Sequence, residues 1–466
     1  MHIVSGPEDL VRRLLRRGSA SSVPRDAAID STFAMLREGY PFIWNRCQRY
    51  KSDIFTARVL GKPAVCIHGP EAARVFYDQT KLRRSGAVPR RVVTTLFGKK
   101  AVQTLDDEAH RHRKAALMSI MTPASLERLM RFMTEQWQLA ITRWESERTV
   151  VLFDEAQRIL TAAACEWVGV PLEADEVAPL AKQLGAMVDA FGGVGLRLWR
   201  GKAARASAQR WLAKRARDVR SHDLVPEHGT ALDILTRYRD ARGKRLRPRV
   251  VAVELLNLIR PTSAIAWYIA DAAHALHQHP EERRKLTSGE TLDVQYATMF
   301  MHEVRRLYPF TPYLGAKVRV PFDWRGHEFR PGTLVLLDVY GANHDPKIWL
   351  EPDRFAPERF LSAVDSAFEF IPQGGGSALG GHRCAGEDVT TLSLTLALRF
   401  LTRAMSYNVV PGQDLTIDLS RMPARPRSGV VLEKVRATSE ITMQQARSAE
   451  PSQQNGLDGA PQPRGA

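Results

Sequence analysis

Apolar residues recur at spacings of three and four along most of the chain, the mark of helices with one buried face. "LERLMRFMTEQWQLAITRW" (126–144) and "DEVAPLAKQLGAMVDAF" (175–191) show it plainly. Residues 249–277 are apolar nearly all round, which predicts a helix running through the interior. Pro261 falls inside that run. Its missing N–H and its ring, crowding the Asn257 carbonyl, predict a single helix kinked at this point, with a helix boundary as the alternative. Strand-like runs are fewer and clustered: "AVCIHG" near the start, then "AKVRVPFDW", "TLVLLDVYG" and, late, "GVVLEKVRA". The pattern predicts a mainly α chain with small β-sheets towards both ends.

Residues 25–436 carry this pattern without a linker-like break, so a single domain is expected there. Residues 1–24 read as an N-terminal extension, within which "EDLVRRLLRRGSA" has the pattern of a short basic amphipathic helix. Residues 437–466, with "MQQARSAEPSQQNGLDGAPQPRGA", are poor in large apolar groups, and disorder is expected. There are no internal repeats.

Composition narrows the classes. Cys47, Cys66, Cys165 and Cys384 are scattered and form no CxxC pair, which argues against a disulfide framework or zinc site and suits a reducing cytoplasm. No apolar run reaches the ~18 residues of a membrane span, and the N-terminus lacks a signal-peptide pattern. A cytoplasmic monomer is the expectation. The net charge of +16 raises the question of nucleic acid. The arginines are dispersed through helical patterns without aromatic interleaving or a zinc-finger or homeodomain spacing, so no nucleic-acid partner is expected. The charge suits an anionic substrate.

The chemistry concentrates in "FIPQGGGSALGGHRCAGED" (370–388). Gly374, Gly375, Gly376, Gly380, Gly381 and Gly386 allow the backbone to approach a flat ligand closely. Cys384 opens a helix pattern whose amides favour a thiolate. A thiolate under a Gly-rich loop is what a haem iron with an axial cysteine requires. A phosphate loop would need a GK[ST] that is absent.

These residues resemble the cytochrome P-450 superfamily: Phe370 to Gly386 follow its cysteine loop, longer than usual by several residues. "EVRR" puts Glu303 and Arg306 on one helix face, and "APERF" supplies Arg359, the third member of the family's buried ion network. The resemblance implies the P-450 fold, a triangular prism with a long central helix over haem b, with the Cys384 thiolate as axial ligand to the iron.

Typical members carry an acid–alcohol pair on that helix to deliver protons; here stand Arg260 and Pro261. A guanidinium does not deprotonate at working pH and is no general acid. Unpaired among apolar groups it costs on the order of several kcal/mol, so it calls for an anion. Either a protein carboxylate such as Glu254 or a ligand could supply one.

"EAARVFYD", "PRRVVTTLFGKKAVQTLD", "ELLNLIRPT" and "EVRRLYPFTPYLGA" resemble one branch, the bacterial peroxide-using fatty-acid hydroxylases and decarboxylases. The resemblance covers nearly all of residues 25–435. It implies that Arg260 binds the substrate carboxylate bidentately and that this carboxylate supplies the missing acid–base function. Hydroxylation at the α or β carbon would follow, driven by hydrogen peroxide with no obligatory reductase, and alkene-forming decarboxylation would be a side reaction.

By the same resemblance Gln103 stands where decarboxylating members often carry histidine, so hydroxylation is expected to prevail. Phe97, Val88, Phe310 and Thr311 would line the acyl chain, Thr311 replacing the branch's usual glycine. Arg84, His110, Lys114 and His382 would anchor the haem propionates, with His112 and Arg113 as competitors one residue away. The small, apolar "SALGG" departs from the branch pattern and puts the haem potential in question. Two other readings are a redox-partner-dependent monooxygenase and a haem-based ligand-binding or sensing protein.

Overall fold

The computed structural model describes residues 23–289, 291–362 and 367–438. The N-terminal amphipathic segment, and the expected C-terminal tail from residue 439 on, lie outside the described residues; Ala437 and Thr438, expected in that tail, instead belong to the domain, Ala437 ending a strand and the Thr438 amide donating to the Ala404 carbonyl at 3.0 Å.

The helical periodicities become helices. Pro123–Trp144 starts from Thr122, whose hydroxyl accepts from the Ser125 amide at 3.3 Å, and buries Leu126, Leu129, Met133, Trp137 and Trp144 along one side. It packs against Leu152–Trp167, which is buried over most of its length. Ala174–Asp189 and the long basic helix Leu196–Arg220 cover the other side of this layer.

The central run departs from expectation. It is two helices, Pro248–Ser263 and Ala266–Gln278, and the break falls at Ala264–Ile265, three residues beyond Pro261. A proline's fixed φ is itself helical, so the chain continues for most of a turn after the lost donor. The Ile265 amide then takes the Thr262 carbonyl, only three residues back, at 3.1 Å. Arg260 and Pro261 therefore lie in the last turn of the first helix. Among the described residues this stretch is the one long and apolar enough to cross a membrane, and it is buried inside the protein.

The predicted strand runs fall in three sheets. The largest has the order Ile54–Val59, Lys62–Ile67, Leu334–Asp338, Tyr313–Val318, Leu82–Arg83, with Lys62–Ile67 and Leu334–Asp338 parallel. "AKVRVPFDW" splits, ending one strand at Val318 and starting another at Phe322, on either side of Pro321. "GVVLEKVRA" becomes Val431–Ala437, the middle of a three-stranded sheet with Thr149–Val151 and Met405–Val409. Those two partners, Ile54–Val59 and Leu82–Arg83 were not apparent from the sequence.

Candidate active site

Cys384 sits between a turn-rich loop and the helix Glu387–Arg399. Its amide donates to the Gln373 carbonyl at 3.2 Å, which folds the loop back on itself. The Gln373 side-chain amide donates to the Thr390 hydroxyl at 3.0 Å and lies 3.8 Å from the sulfur. Some of the glycines are required by the protein's own packing. A Cβ on Gly374, where φ is +94°, would sit 2.6 Å from the Tyr77 hydroxyl, and one on Gly375 would sit 2.4 Å from the Ala367 carbonyl oxygen. This part of the loop is glycine because protein packs against it. At Gly386 the nearest atom would be 4.0 Å away, and at Gly380 there is none within 4 Å.

Burial raises the Cys384 thiol above its ordinary pKa, against the pull of the Gly386 amide and the cations Lys114 and Arg305. Left to the protein alone the sulfur stays protonated, and a coordinated metal would deprotonate it. Three supports were missed by sequence reasoning. Gln373 is one. Glu387 is the second, held by Arg383 at 2.6 Å and by the third, buried Arg305, at 2.5 Å. The Arg383–Glu387 spacing of four was the available signal.

The Glu303 network forms as expected. Arg306 grips both Glu303 oxygens, at 2.7 and 2.9 Å, and the pair is fully buried. Arg359 donates to the same carboxylate at 3.1 Å and to the carbonyls of Leu350, Glu351 and Arg354. One carboxylate thus ties the helix Val294–Leu307 to the segment leading to the cysteine loop.

Arg84, His110, Lys114 and His382 are brought together. The His110 and His382 rings stack at 4.0 Å. Lys114 donates to the carbonyls of Arg383 at 2.8 Å and Gly381 at 3.4 Å. Arg84 lies over the Phe76 ring at 4.0 Å, with one guanidinium nitrogen unpartnered, as is His110 Nδ1. Burial depresses all four groups, and neighbouring cations add to it for the two histidines, taking His110 to about 4 and His382 to about 2. Asp106, 3.7 Å from His382, is the carboxylate in reach, and it already accepts the Arg84 and Ser85 amides. The competitors point elsewhere: His112 meets the Tyr238 hydroxyl, and Arg113 pairs with Glu254 at 2.6 Å.

That pairing decides the surroundings of Arg260. Glu254 also accepts from the Val102 amide at 3.1 Å and the Asn257 side chain at 3.3 Å, so it is taken. Arg260, 5% exposed, reaches only the Asn257 side-chain Oδ1 at 3.5 Å, and its Nε has no partner. Burial pulls its pKa down to about 9, helped by the charge of Arg205. The Glu254 alternative is thereby answered: among the described residues Arg260 has no carboxylate.

Gln103 lies on a single 3-10 turn, Val102–Thr104, fastened to the central helix by the Val102–Glu254 bond, and its Oε1 is buried without a partner. Val88 and Phe97 pack against the main core, Phe97 at the end of the π-turn Val93–Phe97. The Phe310 backbone is fixed by two tyrosines, its amide donating to Tyr268 and its carbonyl accepting from Tyr40. The Thr311 hydroxyl donates to the Tyr313 carbonyl at 3.1 Å, so its polar end is satisfied by the chain.

The donor set fits an iron porphyrin. A thiol is presented at a loop, and beside it buried cations and imidazoles that share the single nearby carboxylate Asp106, with Arg84 and His110 each keeping an unpartnered nitrogen, match the acidic arms of that group.

Comparison with known proteins agrees. The Cytochrome P-450 family model matches residues 271–433. The chain is 30% identical over 183 residues to cytochrome P-450 4A7 of Oryctolagus cuniculus, a match spanning 36% of this chain and 35% of that protein. It is 24% identical to putative cytochrome P-450 120 of Synechocystis sp., over 86% of this chain and 93% of that one. The solved structure of cytochrome P-450EX alpha (CYP152N1) with myristic acid superposes with a TM-score of 0.86 at 42% identity, covering 90% of this chain and 100% of that one. This chain belongs to the cytochrome P-450 family. Two further structures resemble this P-450. Cytochrome P-450SP alpha (CYP152B1) in complex with (R)-ibuprophen has a TM-score of 0.85 at 40% identity, covering 88% of this chain and 99% of that one. A variant of cytochrome P-450 OleT in complex with arachidonic acid has 0.86 at 34%, covering 90% and 99%. They place this P-450 among the CYP152 fatty-acid peroxygenases, which are haem-thiolate oxidoreductases.

Proposed function

We propose that this P-450 uses hydrogen peroxide, without an obligatory reductase, to hydroxylate long-chain fatty acids at the α and/or β carbon, with terminal-alkene formation as a minor outcome. The observation that carries this is Arg260: a buried guanidinium with an unpartnered Nε and no carboxylate, because Glu254 belongs to Arg113. A substrate carboxylate would complete it, in the fork geometry that arginine favours.

Haem b, held by Cys384 with Arg84, His110, Lys114 and His382 around its propionates, supplies the oxidising chemistry when bound. The chain's own residues do the rest. Arg260 fixes the acid end, so only the first carbons of the acyl chain reach the reacting position. Arg260 cannot itself donate a proton. The carboxylate it holds takes one proton from peroxide and returns it to the leaving oxygen, so that acid and peroxide give hydroxy acid and water. Loss of carbon dioxide instead gives alkene and two waters. Pro261, with neither N–H nor hydroxyl, occupies the position after Arg260 where typical members carry the alcohol of the acid–alcohol pair. Gln103, neutral and with a free oxygen, favours hydroxylation. Val88, Phe97, Phe310 and Thr311 line the chain's path.

The test is product analysis by mass spectrometry after mixing ferric protein, a saturated C14 or C16 acid and peroxide without reductase. The 2- or 3-hydroxy acid, or the alkene one carbon shorter, is the expected result. No product alongside an intact haem spectrum would contradict the proposal.

A further inference from the structure

The helix Leu196–Arg220 is rich in lysine and arginine, yet one of these side chains points inward. Arg205 is 3% exposed, and its two terminal nitrogens donate to the carbonyls of Leu96 at 2.6 Å and Phe97 at 3.1 Å. Those carbonyls end the π-turn Val93–Phe97, which the Gly98 amide closes by donating to the Val93 carbonyl. The next residue, Gly98, has φ +92°, and a Cβ there would sit 2.2 Å from the Arg205 guanidinium and 3.0 Å from the Val253 side chain of the central helix. The turn is therefore pinched between Arg205 and the helix that carries Arg260.

Charge points the same way. Arg113, Arg205 and Arg260 are buried together with the single carboxylate Glu254, and Glu254 bonds to Arg113. Glu254 also acts on Arg205 through space, without a hydrogen bond, so one negative charge serves three positive ones; Arg205 and Arg260 make their hydrogen bonds to neutral groups alone. Burial pulls the Arg205 pKa down to about 10, and Arg205 in turn depresses Arg260. Two like charges held this close gain most from an anion that both can feel.

We infer that Arg205 is a positioning residue for fatty-acid oxidation: it clamps the turn bearing Phe97, and its charge, which no ion pair neutralises, adds to the hold of Arg260 on the substrate carboxylate. This rests on the fatty-acid reading above. The clamp needs the two-pronged fork of arginine, whereas the long-range attraction needs only a positive charge. The two parts are thus separable by substitution.

The experiment uses full-length holoprotein, with haem content and thermal midpoint checked for each variant, and titrates myristate by its haem spectral change. Arg205→Met is expected to weaken myristate binding at least about tenfold. Arg205→Lys is expected to keep it within about threefold of wild type. Both should shift the ratio of 2- to 3-hydroxy product, because both release the Phe97 turn. Wild-type affinity and product ratio in Arg205→Met would overturn the inference. So would equal loss of affinity in the lysine and methionine variants, the signature of a purely structural role. Absence of any myristate response in the wild-type protein would overturn the fatty-acid reading and this inference with it.

Discussion

Glu254 and Arg113 form a buried ion pair at 2.6 Å, and it leaves Arg260, on the same helix as Glu254, without an acidic partner. The positive charge of the pocket is thus built by pairing one guanidinium and withholding the carboxylate from the others. Arg113→Met would strand Glu254 and free it to neutralise Arg260. Breaking a buried pair this way costs about 3–5 kcal/mol, so a lower urea midpoint and weaker myristate binding are both expected. A variant with lowered stability but unchanged myristate affinity would separate the pair from the pocket.

The Glu303 network gives a second prediction. Glu303→Leu leaves Arg306 and Arg359 facing an apolar group in a site where Glu303 and Arg306 are fully buried. The expected loss is again about 3–5 kcal/mol, read by urea unfolding, together with faster transfer of haem to apomyoglobin. Unchanged haem retention would show that the network does not hold the cysteine loop.

His68 predicts a pH dependence. It lies between Asp338 at 3.1 Å and Asp345 at 3.2 Å. Burial opposes its charge, but the two carboxylates prevail and hold its pKa up at about 9. A raised pKa gives stability that is complete below the unfolded value of about 6.5 and is lost as pH climbs through 9. Urea midpoints should fall over that window, and His68→Gln should flatten the fall. The same slope in the variant would assign it to other groups.

Gln103→His places a basic, protonatable group on the turn fastened to Glu254. A larger share of terminal alkene is expected, measured by gas chromatography of peroxide-driven reactions. An unchanged product ratio would remove Gln103 from the reacting region.

Much of this was legible before any coordinates. Glu303 and Arg306 announced themselves by a helical spacing of three, and Cys384 by a lone sulfur at a Gly-rich helix start. Where the sequence misled, the cause was packing between distant segments. Gly374 faces Tyr77, far away from it in sequence. The helix break moved past Pro261 because proline's φ is compatible with the turn it sits in. Arg205 was hidden because nothing along a strongly basic helix marks which cation turns inward. The choice of His110 and Lys114 over His112 and Arg113 depended on helix phase, which one residue of uncertainty erases.

The most direct test of the central claim compares wild type and Arg260→Ala for peroxide-driven oxidation of myristate, normalised to haem content. The account predicts a fall in kcat/KM of at least about 100-fold with haem still bound. A near-normal rate in the alanine variant would contradict it, because the acid–base function would then lie elsewhere than in a carboxylate held by Arg260.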